Sequence, residues 1–170
     1  DRSPTPDEVS VLDQARDLAS IAVERRRFEA RLEHQAAHDV LTGLPNRTLI
    51  MDRVDRALRT ASRTGEDVAV LFVDLDNFKV INDSLCHSVG DQLLEQVAKR
   101  FRRVVPDGAM VGRFGGDEFV VVHQGVDGRE GAVRLADELA RVLAEPVVVG
   151  GSEIHVSASI GVAMATEGDL

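Results

Sequence analysis

The chain has 170 residues, 44% of them hydrophobic, which allows one domain plus an appendage, and neither a secretory leader nor an apolar stretch of about 18 residues is visible. With 20 basic against 29 acidic residues, the formal charge of −9 argues against a nucleic-acid-binding surface and against an anionic membrane surface. The single cysteine, Cys86, excludes an intrachain disulfide and a cysteine-based zinc cluster, which suits a reducing cytoplasm.

Residues 1–37 are expected to form a stalk or linker. The stretch from Asp7 to Ala37 contains no Pro or Gly and is rich in Ala, Leu, Glu and Arg, which predicts one helix about 45 Å long. Its apolar residues follow steps of four and three that are typical of a coiled coil, but Arg25 and Glu29 interrupt the seam. A coiled coil and a solvated connector helix therefore both stay open.

A helix and a strand begin the domain that follows. Asn46 can cap a helix that continues to about Arg63, and the apolar run Val68–Val73 is long enough for a buried strand. The strand runs directly into Asp74-Leu75-Asp76. Because an unpaired charge at the edge of a core is costly, Asp74 should meet a cation, hydrogen-bond donors or water. A solvated or turn-capping aspartate is the alternative.

A second helix and a hairpin come next. The helix is expected from about Gly90 to Val105, before Pro106-Asp107-Gly108, and the apolar runs 109–111 and 119–122 then flank Gly115-Gly116-Asp117-Glu118. Two glycines allow a tight turn and close approach of a ligand to the backbone, and an adjacent acid can hold a divalent cation. The alternative is an ordinary turn.

The strand-end acids and the hairpin acids would converge if the two elements were neighbours in one sheet. So many carboxylates repel one another unless a metal neutralises them, and oxygen ligands favour Mg²⁺ or Mn²⁺ over zinc. The acids concerned are Asp74, Asp76, Asp117 and Glu118.

The last elements are a helix over Arg129–Ala144 and strands around Gly150-Gly151 and over Ile154–Ala163. Hairpins mixed with helices in this order predict an α+β domain with a mostly antiparallel sheet and helices packed on it.

Several motifs together resemble the GGDEF family of diguanylate cyclases. They occur in the family's order and at its spacings, from about Asp39 to the end of the chain, so residues 38–170 are expected to form a GGDEF domain. The first part of the chain is similar to the exit helix of a GAF-type sensor domain, which implies a sensor upstream. The matching motifs are Asp39-Val40-Leu41-Thr42-Gly43-Leu44-Pro45-Asn46-Arg47, Asp74-Leu75-Asp76, Phe78-Lys79, Ile81-Asn82-Asp83, His87, Gly90-Asp91 and Gly115-Gly116-Asp117-Glu118-Phe119.

The resemblance implies the ferredoxin-like fold shared by nucleotide cyclases and polymerase palms. It also implies a cytoplasmic enzyme in which a homodimer, holding one GTP in each domain, joins two GTP into cyclic di-GMP and pyrophosphate with Mg²⁺ or Mn²⁺. A phosphodiesterase domain downstream is a further expectation. The alternative is a non-catalytic module that binds GTP or dimerises to control a neighbouring domain.

The resemblance also implies roles for individual residues. Asp117, Glu118 and Lys79 match catalytic positions; either acid could take the 3′-hydroxyl proton, and Lys79 would contact phosphate. An ionised Asp91 can accept from the N1 and N2 edge of guanine, which would select GTP over ATP. By this match Asp74, the carbonyl of Leu75 and Asp117 are metal ligands, and Asn82, His87, Asp91, Gly115 and Gly116 bind substrate.

Each of the candidate residues between the strand and the hairpin also has an explanation that involves no role in a functional site. Lys79 could be a solvated surface lysine, Asn82 and Asp91 could cap helices, and His87 could lie in a loop without a specific role.

The sequence departs from the family's pattern at three places. Cys86 stands where glycine is usual, which could alter the loop backbone near the base. Pro106 and Ala109 replace an Arg and an Asp that many relatives use as a product-binding inhibitory site, so we expect that form of feedback to be absent, unless Arg102 or Arg103 provides another route. The sequence stops at Leu170, before the family's final helix, and a domain lacking it could bind GTP poorly.

Overall fold

The computed structural model describes residues 20–21, 23–26, 36–85, 87–149 and 151–165. By its internal contacts the chain divides into two units, Asp1–Ala36 and Ala37–Leu170. In the first unit, residues 20–21 and 23–26 are helical, as is residue 36. The rest of the predicted stalk helix lies outside the described residues.

The second unit contains a capped helix where the sequence predicts one. Helix α1 spans Arg47–Thr64. The side chain of Asn46 accepts a hydrogen bond from the amide of Leu49 at 3.2 Å, which satisfies a donor at the helix N-terminus. At the other end, Gly65 has φ +74° and donates its amide to the Ala61 carbonyl at 2.8 Å.

Four of the described strands, β1 (Val68–Leu75), β2 (Ala109–Gly115), β3 (Glu118–Gln124) and β6 (Ala158–Ala165), form one antiparallel sheet in the order β2-β3-β1-β6. Strand β1, central and rich in valine, places alternate side chains on the two faces of the sheet. The expectation of a mostly antiparallel sheet flanked by helices is confirmed.

Helices cover both faces of this sheet. Helices α3 (His87–Val104) and α4 (Gly128–Ala144) contribute to the larger core, in which the rings of Phe101 and Phe119 meet edge to face at 5.4 Å. On the other face, α1 buries apolar residues against β1 and β3. The buried members of that second cluster are Ile50, Ala57, Ala61, Val68, Val120 and Val122.

The structure differs from the sequence-based expectations at two elements. A short helix that was not predicted, α2 (Phe78–Leu85), lies between β1 and α3, and α3 begins three residues before the expected Gly90. The predicted strand Ile154–Ala163 was wrong at its start, because Ile154 pairs with Val147 in a separate two-stranded sheet. That sheet consists of β4 (Val147–Val149) and β5 (Ser152–Ile154).

None of the helices in the described ranges has the length and apolar character needed to cross a membrane.

Candidate active site

The pairing of β1 with β3 brings the two predicted groups of acids together. Asp74 lies directly opposite Glu118 in the antiparallel register, and the amide of Leu75 donates to the carbonyl of Asp117 at 3.3 Å. The predicted adjacency of the Asp74 strand and the glycine hairpin is therefore confirmed. Directly opposite residues in such a ladder have Cβ atoms about 5 Å apart, so these carboxylates share one small region.

The three carboxylates at this place have no protein partner among the described residues. No hydrogen bond or ion pair there involves the side chains of Asp74, Asp117 or Glu118. Asp74 is exposed, and the other two are partly buried. Neighbouring like charges repel, so a cation or a proton donor supplied from outside would stabilise this arrangement.

Asp76 does not join the other acids, and the expectation that all four converge was wrong. Its carboxylate accepts hydrogen bonds from the hydroxyls of Ser157 at 2.6 Å and Ser159 at 2.8 Å. These bonds, with Ser157 contributing most, lower the pKa of Asp76 below its ordinary value. The reason is the strand order: β6 lies on the opposite side of β1 from β3, and Ser159 within β6 and Ser157 just before it supply the hydroxyls.

The glycines shape the turn between β2 and β3. Gly116 has φ +51°, a backbone conformation that glycine adopts without strain, and the register shifts between Arg113 and Gly115. Both glycines are exposed, and no atom lies within 4 Å of the place where a side chain of Gly116 would begin. A ligand can therefore approach this backbone closely.

Helices α2 and α3 carry the remaining predicted site residues. Lys79 and Asn82 are three residues apart on α2, and His87 and Asp91 are four apart on α3, so each pair shares a face. Lys79, His87 and Asp91 are exposed. Because Asn82 and Asp91 lie inside their helices, the alternative that they act as helix caps was wrong, and His87 lies on the first turn of α3 rather than in a loop.

Asn82 packs against a glycine. A Cβ atom on Gly90 would lie 1.8 Å from Oδ1 of Asn82, so only glycine leaves room for the amide at this position. In the described structure this Oδ1 is buried without a hydrogen-bond partner. A buried acceptor without a donor costs about 1–3 kcal/mol, so a ligand N–H group that the amide could turn to meet would recover this cost. Cys86, which precedes α3, lies outside the described residues.

A family model described as "Diguanylate cyclase, GGDEF domain" matches residues 36–169. The chain belongs to the GGDEF family. It is 40% identical over 159 residues to diguanylate cyclase TpbB of Pseudomonas aeruginosa strain UCBPP-PA14, a match that covers 89% of this chain and 37% of TpbB. It is 41% identical over 160 residues to the bifunctional diguanylate cyclase/cyclic di-GMP phosphodiesterase MucR of strain PAO1, covering 92% of this chain and 23% of MucR.

A solved structure agrees with this assignment. The truncated P. aeruginosa PAO1 TpbB that comprises only the GGDEF domain has a TM-score of 0.73 and 41% sequence identity, covering 75% of this chain and 74% of that one. The predicted family and the prediction of a cyclase-type enzyme domain are confirmed. The likeness of the stalk to a GAF exit helix stays a prediction.

GGDEF domains generally depend on a divalent metal, and the donors present here fit a hard cation. Among the described residues no three His, Cys, Asp or Glu side chains are grouped so that they could hold a metal by themselves. The predicted ligands are instead two carboxylates, of Asp74 and Asp117, and the carbonyl oxygen of Leu75. Mg²⁺ is commonly bound in this way, through one or two carboxylates together with substrate phosphates.

One residue of the GGDEF hairpin has a structural role that the sequence reasoning missed. Arg113, next to the glycine motif, pairs with Asp39 and also donates to the Gly116 carbonyl. Asp39 accepts from the amide of Thr42 as well. The Asp-x-x-Thr spacing is typical of a local side-chain-to-backbone hydrogen bond and could have indicated a structural role for Asp39. No sequence signature indicates that Asp39 also pairs with Arg113, which lies 74 residues away.

The positions that the resemblance assigns to an inhibitory site lie in a shallow cavity of about 330 Å³. Pro106 and Ala109 line it, and so does Arg102, which donates to the Gly43 carbonyl at 3.1 Å. The absence of this form of product feedback stays a prediction.

Proposed function

We propose that this GGDEF domain condenses two GTP molecules into cyclic di-GMP and pyrophosphate, as a homodimer whose two domains each hold one GTP with Mg²⁺ or Mn²⁺. The observation that carries the proposal is the placement of Asp74 directly opposite Glu118 and beside Asp117, all three without a protein partner in the described structure. Carboxylates kept together in this way repel one another and are stabilised by a positive charge. The divalent cation that accompanies a nucleoside triphosphate supplies that charge.

Asp74, Asp117 and the Leu75 carbonyl would hold the cation. When bound, the cation neutralises phosphate charge and stabilises the leaving pyrophosphate. The exposed ammonium of Lys79 is available to pair with a phosphate oxygen as a point charge. The open backbone at Gly115 and Gly116 leaves room for the phosphates beside the acids.

The proton of the attacking 3′-hydroxyl would pass to Asp117 or Glu118. Both are partly buried and adjacent in sequence, at the start of β3. Both carboxylates would lie beside the cation, so either of them is placed to accept this proton.

The guanine base would bind to α2 and α3. The buried, unpartnered Oδ1 of Asn82 would accept a hydrogen bond from a base N–H group. Asp91, exposed next to Gly90, would accept from the N1–H group and the N2 amine of guanine, whereas adenine has an acceptor at N1 and no N2 amine. His87, one helical turn before Asp91, would complete the substrate contacts.

The proposal extends to the organisation of the longer protein. Residues 1–37 would be a stalk that links an upstream sensor to the GGDEF domain in 38–170, and a phosphodiesterase domain would follow. The name of the relative MucR gives it both a diguanylate cyclase and a phosphodiesterase activity. Because GTP is an intracellular nucleotide, the domain would work in the cytoplasm.

The test is to incubate the protein with GTP and Mg²⁺ and to identify products by chromatography and mass spectrometry. We expect cyclic di-GMP from GTP and no cyclic product from ATP, with activity rising faster than linearly with protein concentration. The variant Asp117→Asn should lose activity, whereas the matched control Asp137→Asn, an exposed acid on α4, should keep it. Binding of GTP without turnover under all conditions would support the non-catalytic module instead.

A further inference from the structure

The loop formed by residues 39–46, which precedes α1, contacts the end of β2 before the Gly115-Gly116 turn from two sides. On one side, Nη1 of Arg113 donates to Oδ1 and Oδ2 of Asp39 at 3.1 and 3.2 Å. The same guanidinium donates through Nε and Nη2 to the Gly116 carbonyl at 2.9 and 2.7 Å. One planar group thus joins the loop to the turn that precedes Asp117.

This bridge is sheltered and its acid is fixed. The side chains of Arg113 and Asp39 are only 14% and 23% exposed, in contrast to the ion pairs elsewhere in the described structure. The amide and the hydroxyl of Thr42 donate to Oδ1 of Asp39 at 2.8 and 2.6 Å. Charge-assisted bonds that several donors share are stronger and more directional than exposed ion pairs.

On the other side, the loop and the start of α1 hold the backbone before the turn. The Pro45 carbonyl accepts from the amide of Arg113 at 2.9 Å. The guanidinium of Arg47 lies 4.6 Å from the ring centre of Phe114, which also meets the ring of Phe72 edge to face at 5.5 Å. Residues 113 and 114 are therefore fixed on opposite faces of the sheet.

Apart from the hydrogen bond of the Leu75 amide to the Asp117 carbonyl, 3.3 Å long, and the pairing of Glu118 with Asp74 in the ladder, the turn contributes little that would define its position. Gly116 has no side chain, the strand register is broken between Arg113 and Gly115, and the carboxylates of Asp117 and Glu118 have no partner in the described structure. Within the described residues, the side-chain hydrogen bonds made to the turn come from Arg113.

We propose that Asp39 and Arg113 are positioning residues: through the Gly116 carbonyl they fix the turn and hence the place of Asp117 and Glu118 relative to Asp74. The consequence for catalysis rests on the proposed function, whereas the consequence for the turn does not. Small displacements of reacting groups can cost up to about 100-fold in rate, so loss of the bridge is expected to lower kcat by about 10- to 100-fold.

The chain offers a matched control for this bridge. Arg134 and Asp127 form an ion pair of similar length, 3.0 Å, but their side chains are 61% and 93% exposed and lie beyond the end of β3 opposite the turn. Arg113→Lys and Asp39→Asn are therefore compared with Arg134→Lys and Asp127→Asn. A lysine at 113 keeps the charge but cannot donate to both partners with the fork of a guanidinium.

The first readout needs no activity: ¹⁵N relaxation of the Gly116 and Asp117 amides in the full chain. We expect their order parameters to fall from about 0.85, typical of a rigid backbone, towards about 0.6 in Arg113→Lys and Asp39→Asn, and to stay unchanged in the controls. Unchanged order parameters and unchanged peak positions in both bridge variants would overturn the proposal.

The second readout is GTP turnover. A positioning role predicts a lower kcat with little change in KM, and partial recovery of Arg113→Ala by millimolar guanidinium but not by methylammonium. Equal kcat in bridge and control variants, or a loss that follows thermal unfolding alone and is not rescued, would overturn it. If the unchanged protein makes no cyclic di-GMP, the proposed function fails, and the relaxation data still decide whether the bridge fixes the turn.

Discussion

Arg113 contacts the carboxylate of Asp39 and the Gly116 carbonyl just before Asp117, yet the carboxylates of these two acids are in opposite states. Asp39 accepts hydrogen bonds from Thr42 and Arg113, and its side chain is largely sheltered. Asp117, like Asp74 and Glu118, has no partner in the part of the chain that the structure describes. The first kind of acid is satisfied by the protein and stabilises its structure, whereas the second kind needs a ligand.

Asp76 makes the same distinction within three residues. It follows the strand that ends with Asp74 and Leu75, but the hydroxyls of Ser157 and Ser159 satisfy its carboxylate. A position next to a ligand-binding acid in the sequence therefore does not make a residue part of the site. Whether a carboxylate finds a protein partner depends on the strand that lies beside it, which for Asp76 is β6.

The largest expected effect is the loss of activity in Asp117→Asn and Glu118→Gln. Removing one charge from the unpartnered group should reduce cyclic di-GMP formation by at least about 100-fold. Because like charges repel, the free energy of unfolding should stay equal or rise. Product assays and urea unfolding on the same samples test both statements. A decrease in the free energy of unfolding as large as that of Asp39→Ala would contradict the distinction between ligand-binding and structural acids.

Gly90→Ala should disturb the other unpartnered group, the buried Oδ1 of Asn82. The new Cβ would lie 1.8 Å from this atom, so the amide must move, and affinity for a non-hydrolysable GTP analogue should fall about 10-fold, the value of one hydrogen bond. The free energy of unfolding should change by no more than about 1 kcal/mol, because alanine is more favourable than glycine in a helix interior.

Calorimetric titration and a double-mutant cycle test this prediction. Asn82→Ala should show the same loss of affinity, and the double variant should show no further loss. Additive losses would mean that Gly90 acts on the nucleotide independently of Asn82.

The partnered Asp39 should make stability dependent on acid pH. Burial alone would raise its pKa, but hydrogen bonds from Thr42 and the guanidinium of Arg113 outweigh burial, so the pKa lies below 3.8. A lowered pKa in the folded state means that the stabilisation is present above the unfolded-state pKa and is lost as pH falls through the folded-state pKa. In urea unfolding, the free energy of unfolding should fall less steeply from about pH 5 to about pH 2 in Asp39→Asn than in the unchanged protein.

Thr42→Val gives an intermediate case for the same measurement. It removes the hydroxyl donor and keeps the amide and Arg113, so its pH dependence should lie between those of Asp39→Asn and the unchanged protein. A decline identical in all three proteins would show that Asp39 is not the group that titrates.

The smallest effect is expected at Asp76. Ser159→Ala removes one of the two hydroxyls that lower the pKa of this half-buried acid, so the pKa should rise towards its ordinary value while Ser157 keeps part of the shift. An NMR titration of the carboxyl carbon measures this directly. Activity should be unaffected, and a large loss would place Asp76 with the ligand-binding acids after all.

Much of the fold could be predicted from the sequence because its causes are local. Asn46 and Gly65 bound α1, and the apolar runs beside Gly115 and Gly116 require a hairpin. The short helix α2 was missed because the eight residues Phe78–Leu85 are too few to show a clear helical period. The boundary between β5 and β6 was missed because Ile154 and Ile160 are both apolar, and only their different pairing partners separate them.

The sequence by itself determined the kinds of groups in the site: the acids at the end of β1, the glycines and acids of the turn, and the polar residues that α2 and α3 carry. Only the tertiary structure decided which of them stay unpartnered. That outcome depends on contacts between residues far apart in the chain, Arg113 with Asp39 across 74 positions and Ser159 with Asp76 across 83. Because hydrogen bonds act over about 3 Å, the donor that reaches a given carboxylate is decided only when the strands pair, and the local sequence does not indicate it.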